Sequence, residues 1–230
     1  MLDIAANLET VLRRIAEAEQ RFGREPGSVK LIAVSKTKPL QLIREAVRCG
    51  QQLFGENYVQ EAVEKVLQIQ EESLSWHFIG PIQSNKTKLI AENFDWVHSI
   101  GREKIAQRLN NQRPAHLPKL NICLQVNVSD EATKAGASLA KLPALIESVS
   151  TLPNLRLRGF MAIPIYEHEF EKQRLPFGQL KETLLTMNQR FHLQMDTLSM
   201  GMSGDLEAAI AEGATFVRVG TDIFGARQPH

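Results

Sequence analysis

The chain has 230 residues, of which 27 are basic and 26 acidic, for a formal charge of +1; that length suits one α/β barrel domain over residues 1–230 with a sizeable core, and the charge balance excludes the electrostatic footprint of a nucleic-acid or anionic-membrane binder. The two cysteines, Cys49 and Cys123, lie far apart with no CxxC or Cys/His spacing, so neither a disulfide framework nor a zinc site is suggested. Charged residues from Asp3 to Glu19 interrupt the first apolar stretch and no run is long enough to span a bilayer, so a soluble, unexported, cytoplasmic protein is expected.

Ile4, Leu8, Val11, Leu12, Ile15 and Phe22 follow the spacing of an amphipathic helix that stops at Gly23. Val29 to Ser35 reads as a strand, and Pro39 to Arg48 as a helix with Leu40, Ile43 and Val47 on one face and Gly50 as its stop. The alternation continues with strands at Leu53 to Gly55, Trp76 to Ile79, Trp96 to Ile100 and Leu120 to Val128. Helices follow them from about Val59 to Gln70, Ser84 to Asn93, Arg102 to Asn110 and Leu139 to Val149. Leu155 to Ala162, a helix within Gln173 to His192, Thr197 to Met200, a helix from Ser203 to Glu212 and Phe216 to Val219 complete the series.

Eight strands with intervening helices predict a (β/α)8 TIM barrel preceded by one extra helix, and in that fold the chemistry sits at the carboxyl ends of the strands. Three strand ends stand out. The first, Ala33-Val34-Ser35-Lys36-Thr37-Lys38-Pro39, puts Lys36 at the barrel mouth just before a helix, where a lysine can form an imine as well as serve as a solvated strand end. In the second, Ser199-Met200-Gly201-Met202-Ser203-Gly204 turns through two glycines into a helix, a composition suited to an anion cradle and equally to an ordinary cap and turn. The third is Phe216 to Thr221. Two-residue alternation turns Arg218 inward, where it requires a carboxylate or a ligand atom, and Gly220 and Thr221 fall in the usual phosphate position of the fold.

A lysine, an anion cradle and an inward arginine converge on an aldehyde that carries a phosphate and a basic ring nitrogen, which is the chemistry of pyridoxal 5'-phosphate. The segments AVSKTKP, FGENYVQE, WHFIGPIQSNK, VNVSDEATKAG, LRGFMAI and LSMGMSGDLEAAIAEGATFVRVGTDIFGAR resemble the YggS/PROSC family, the pyridoxal phosphate homeostasis proteins, over nearly the whole chain. The resemblance implies a barrel of the alanine-racemase N-terminal-domain type, fold type III of the pyridoxal-phosphate proteins, without established catalytic activity. It implies Lys36 as the covalent imine lysine. It also implies Ser199, Met200, Gly201, Met202 and Ser203, with Gly220 and Thr221, around the phosphate, Arg218 facing the pyridine nitrogen, and Asn57 and Met161 lining the ring.

An imine forms only from an uncharged amine, so the pocket should favour that form of Lys36, with Arg218 contributing. Arginine opposite the ring nitrogen weakens the electron sink that carbanion chemistry needs, although alanine racemases also place an arginine there. Racemases take their second acid–base group, a tyrosine, from an added β domain, and twelve residues after Arg218 leave no room for one here. Tyr58 and Tyr166 are the available tyrosines, and Tyr58 is expected to pack beneath its loop. His77 is expected in the core, Lys134 in a solvated loop, and Glu56 without a proton to move.

The resulting expectation is a cofactor carrier acting in pyridoxal phosphate homeostasis and amino-acid and keto-acid balance. It would be a monomer with PLP-dependent apo-enzymes as candidate partners and neither nucleic acid nor membrane among its ligands. A low-activity amino-acid racemase is the alternative, and a cofactor-free Schiff-base aldolase a remoter one.

Overall fold

A computed structural model describes residues 2–69, 71, 73–129 and 135–226. The first helix, α1 (Ile4–Arg21), is capped by the Asp3 side chain, which accepts a hydrogen bond from Ala6 N. It buries Ile4, Leu8, Val11 and Ile15. Leu12 does not join them: one residue round from Val11, it leaves the edge of the stripe and is 48% exposed.

The repeat then runs β1 (Lys30–Val34), α2 (Leu40–Arg48), β2 (Leu53–Glu56), α3 (Val59–Gln68), β3 (Ser75–Phe78), a 3-10 turn at Ser84–Lys86, α4 (Thr87–Asn93), β4 (Trp96–Ile100) and α5 (Glu103–Gln112). It continues with β5 (Leu120–Asn127), a two-residue strand β6 (Ala137–Ser138), α6 (Leu142–Ser150), β7 (Leu155–Met161), α7 (Phe170–Phe191), β8 (Thr197–Ser199), α8 (Leu206–Ala211), β9 (Phe216–Val219) and α9 (Thr221–Phe224). All pairings are parallel. Strands β1 to β5 follow one another round the sheet, β5 pairs with β7, and β9 pairs back onto β1, which closes an eight-stranded barrel with β6 attached to β5 outside the ring.

Four of the expected helices start about three residues from where the spacing puts them; α4 begins at Thr87, after the 3-10 turn, and α6 at Leu142 rather than Leu139, after β6. α7 begins at Phe170 rather than near Gln173, because the Phe170 ring stacks on Phe22 at 5.9 Å and anchors that end to the chain just past α1. α8 begins at Leu206 rather than Ser203, because Asp205 Oδ1 takes the Met202 N–H at 2.6 Å and holds residues 202–205 as a loop.

Strand alternation divides the side chains into two layers. Leu31, Ala33, Val217 and Val219 face outward into the main core with Ile43, Leu206, Ala209 and Ile210 of the helices. Inward, cross-strand register sets Ile32 beside Arg218, Gly55 beside His77, and Met161 beside Ser199. The barrel interior is therefore rich in polar groups: His77, His98, Ser199 and Arg218 are all buried there. α1 packs across α2, α8 and α9, over the seam where β9 meets β1.

Candidate functional site

A cavity of about 300 Å³ opens at the carboxyl ends of the strands, and Lys36, Asn57, Met202, Ser203, Arg218, Gly220 and Thr221 line it. Val34, Lys38, Ile79, Ile163, Gly204 and Gly225 complete the wall. Its size is that of a small-molecule site.

Lys36 lies two residues past β1, in a turn that bends sharply. Thr37 adopts φ 62°, a left-handed conformation disfavoured for a β-branched residue. A buried ionic cluster lies behind the turn. Lys65 of α3, only 5% exposed, donates from Nζ to Ser35 O at 2.7 Å, to Glu56 Oε1 at 2.8 Å and to Glu61 Oε1 at 2.5 Å, which uses all three of its N–H groups. Ser35 Oγ donates to the same Glu56 Oε1 at 2.6 Å, and Thr37 N donates to Glu61 Oε1 at 2.6 Å. Burial pushes the Glu56 carboxyl upward from its ordinary pKa, an effect partly offset by the Lys65 charge and by hydrogen bonds from Lys65 and Ser35.

Asn57 follows directly on β2. Its backbone rests against Gly80, where a Cβ would stand 2.3 Å from Asn57 O, and Ser99 Oγ donates to Gly80 O at 2.5 Å. Among the described residues Asn57 Oδ1 is buried with no hydrogen-bond partner. A buried amide oxygen in a cavity wall is a place for a ligand donor.

Arg218 occupies the opposite wall, turned inward as alternation predicts. A carboxylate or a ligand atom is expected beside it; among the described residues its hydrogen bonds go instead to neutral acceptors, Nη1 donating to Ser199 Oγ at 2.8 Å and Nη2 to Ala162 O at 3.0 Å, while Asp205 acts on its charge without a hydrogen bond between them. Burial lowers its pKa to about 10, so it is charged at neutral pH. From Ser199 a hydrogen-bonded chain crosses the barrel: Ser199 Oγ to His98 Nδ1 at 2.8 Å, His98 Nε2 to His77 Nδ1 at 2.9 Å, and His77 Nε2 to Ser75 Oγ at 3.3 Å. Burial lowers the His77 pKa to about 3, and burial, His77 and Arg218 together hold His98 well below the ordinary histidine value, so both rings are neutral. Nearby, burial pushes the Cys123 thiol up and keeps it protonated.

The loops after β8 and β9 carry Met202, Ser203, Gly204, Gly220 and Thr221 to the cavity. Arg14 of α1 ties both loops from behind: Nη2 donates to Ser203 O at 2.9 Å, Nε to Glu207 at 2.9 Å and Nη1 to Asp222 at 3.0 Å. The helix that precedes the repeat is thus part of the scaffold of the mouth.

Seven of the eleven residues expected at the site converge on this cavity; Ser199, Met200, Gly201 and Met161 do not line it. The Ser199 hydroxyl is taken up by Arg218 and His98. Met200 is fully buried in the outer core, and its N donates to Phe216 O. Gly201 has φ 93° and sits where a Cβ would approach Ala209 Cβ to 2.6 Å, so close packing of α8 requires the glycine. Met161 is fully buried in register with Ser199.

His77 is in the interior as expected, whereas Tyr58 is 49% exposed rather than packed beneath its loop, since Val59 takes the buried place. Lys134 falls outside the described residues. Sequence reasoning passed over Glu61, Lys65 and His98, and gave Glu56 no role. The i,i+4 spacing of Glu61 and Lys65 was the available signal, but it usually marks a solvated helix face. No helix among the described residues is long and apolar enough to cross a membrane.

Residues 6–228 match the family described as alanine racemase, N-terminal domain. The chain is 60% identical to the pyridoxal phosphate homeostasis protein of Pseudomonas aeruginosa over 99% of this chain and 97% of that one. It is 54% identical to the protein of the same name from Escherichia coli K12, over 99% and 98%. The structure of PipY from Synechococcus elongatus PCC7942 with PLP bound superposes with a TM-score of 0.80 at 38% identity, over 92% of this chain and 100% of that one. Alanine racemase from Corynebacterium glutamicum shares the fold at 13% identity, with a TM-score of 0.73 over 97% of this chain and 61% of that one.

Proposed function

Because the chain belongs to the alanine racemase N-terminal domain family and, within it, to the pyridoxal phosphate homeostasis proteins, we propose that it binds pyridoxal 5'-phosphate in the cavity at the barrel mouth and serves in homeostasis of that cofactor. The observation that carries this reading is the convergence of Lys36, Arg218, the Ser203 loop and the Gly220-Thr221 turn on one small cavity. PLP, when bound, supplies an aldehyde that condenses with an amine.

Lys36 is the amine we assign to it, so the resident form is a covalent imine. Ser203, Gly220 and Thr221 hold the phosphate, with Met202 beside them. Arg218 faces the pyridine nitrogen and, as a cation held by neutral partners, disfavours protonation of that nitrogen. Asn57 supplies its buried Oδ1 to a donor on the ring. Met161, Ser199, Met200 and Gly201 support this wall from behind, through packing and the Ser199 hydrogen bonds.

The role is to hold and release the cofactor rather than to turn over amino acids. Tyr58 and Tyr166 are 49% and 61% exposed and stand outside the cavity wall, so neither is placed to act as an acid opposite Lys36. The supply of cofactor to PLP-dependent apo-enzymes in the cytoplasm, with an effect on amino-acid and keto-acid pools, follows as the cellular reading, with a monomer as the working form. Borohydride treatment of the PLP-loaded protein followed by peptide mapping is expected to place the reduced pyridoxyl label on the peptide containing Lys36. Label on another residue, or none, overturns the assignment.

A further inference from the structure

Resting on the reading that Lys36 is the reactive amine, we infer that Glu61 and Lys65 are positioning residues that aim this amine through its own backbone. Lys36 lies between two peptide groups, and each is bonded to one member of this pair: Lys65 Nζ donates to Ser35 O at 2.7 Å on one side, and Thr37 N donates to Glu61 Oε1 at 2.6 Å on the other. Glu61 and Lys65 are joined to each other at 2.5 Å across one turn of α3, so the two contacts act as one clamp.

The clamp has a rigid base. Lys65 reaches Glu56 at the end of β2, whose Oε1 also accepts from Ser35 Oγ, so Ser35 is held by both its carbonyl and its hydroxyl. Thr37 keeps a left-handed backbone that a β-branched residue resists, and the charge-assisted bond from its N–H to Glu61 offsets that resistance. The bend has a directional result: Lys36 lines the cavity, while Thr37 lines a groove between α2 and α3 together with Glu61 and Lys65. Neither Glu61 nor Lys65 lines the cavity, so they act on Lys36 and not on its ligand. A lysine stem has many rotamers; fixing both flanking peptides removes the backbone share of that freedom before the ligand arrives.

The test uses the full chain with Glu61→Ala and Glu61→Gln. The Glu61 side chain is 32% exposed, so its truncation leaves the core intact. Two readouts are needed: amide hydrogen exchange at Thr37 without cofactor, and the rate at which added PLP forms the visible imine band. Glu61→Ala is expected to raise exchange at Thr37 and slow band formation, each about tenfold, as loss of a charge-assisted hydrogen bond implies. Glu61→Gln, which keeps an acceptor oxygen at the same reach, is expected to fall between Glu61→Ala and the wild type in both.

Unchanged exchange overturns the inference, and so does faster exchange with an unchanged rate of imine formation, since the pair would then be a structural tether only. Equal loss in both variants overturns it as well. Failure of the underlying reading is distinguishable, because it is read in the wild-type protein by a borohydride label away from Lys36.

Discussion

The two walls of the cavity each present a basic side chain, Lys36 on one and Arg218 on the other, and they support it by opposite means. On the lysine wall the support is ionic and reaches Lys36 through the main chain: Lys65 and Glu61 bind the peptides on either side of it, and Glu56 anchors Lys65 and the Ser35 hydroxyl. On the arginine wall the hydrogen-bonding support is neutral and reaches the side chain directly, through the Ser199 hydroxyl and the Ala162 carbonyl, with two uncharged histidines behind and Asp205 acting only through its charge. The difference follows from the side chains. A guanidinium is planar and can be oriented by two hydrogen bonds to its own head, whereas the long flexible stem of a lysine gains from having its backbone fixed as well.

The contrast is broken most forcefully at Lys65. Lys65→Met leaves Glu56 buried with no cation beside it, and removal of one partner of a buried ion pair costs about 3–5 kcal/mol. Chemical denaturation should register that loss, and the added substitution Glu56→Gln should recover much of it, because the unpaired charge then disappears. If Lys65→Met is nearly neutral, the cluster is not a charged support and the two walls do not differ in kind.

Acid and base sharpen the comparison, since the two walls respond to pH with opposite signs. Glu56 has a folded-state pKa raised above its ordinary 4.5, so above pH 4.5 the native state keeps a proton that the unfolded chain has released. Its contribution therefore falls as pH rises through that window. His77 has its pKa lowered from 6.5 to about 3, so as pH drops below 6.5 the unfolded chain takes up a proton that the native state refuses, and stability is lost on acidification. His98, lowered in the same direction, reinforces this. Urea midpoints followed from pH 8 to pH 3 should show a flatter acid limb in His77→Gln and a steeper one in Glu56→Gln. The same change of slope in both variants would contradict the opposed signs.

The fold was legible in the sequence because alternation and helical spacing report directly on which side chains face the core, as with Val217, Val219 and Arg218 on β9. The ends of elements were less legible where tertiary contacts set them. Phe170 extends α7 by stacking on Phe22, which is 148 positions away, and Asp205 shortens α8 by claiming a loop amide. At the site, residues that line the cavity sit at strand ends and can be found from that rule alone. The supporting layer is harder. Glu61 and Lys65 look like a solvated pair until β1 and β2 are known to lie beneath them, and Ser199 was placed at the phosphate by the family resemblance, because a strand-end serine by itself gives no sign of whether its hydroxyl points into the mouth or down the barrel.

Ser199 supplies the smallest and most discriminating prediction. Its hydroxyl accepts from Arg218 Nη1 and also bonds His98 Nδ1, so Ser199→Ala deletes one charge-assisted and one neutral hydrogen bond at one point, at an expected cost of about 2–3 kcal/mol. That is less than the loss at Lys65, because no charge loses its only counter-charge. The effect on ligand binding separates two roles for this residue. If Ser199 acts by orienting Arg218, Ser199→Ala weakens binding of pyridoxal and of pyridoxal 5'-phosphate by the same factor, since both carry the ring nitrogen. A loss confined to the phosphorylated compound would instead return Ser199 to the anion cradle, and would mean that the arginine wall reaches its ligand through the serine as well as through the guanidinium.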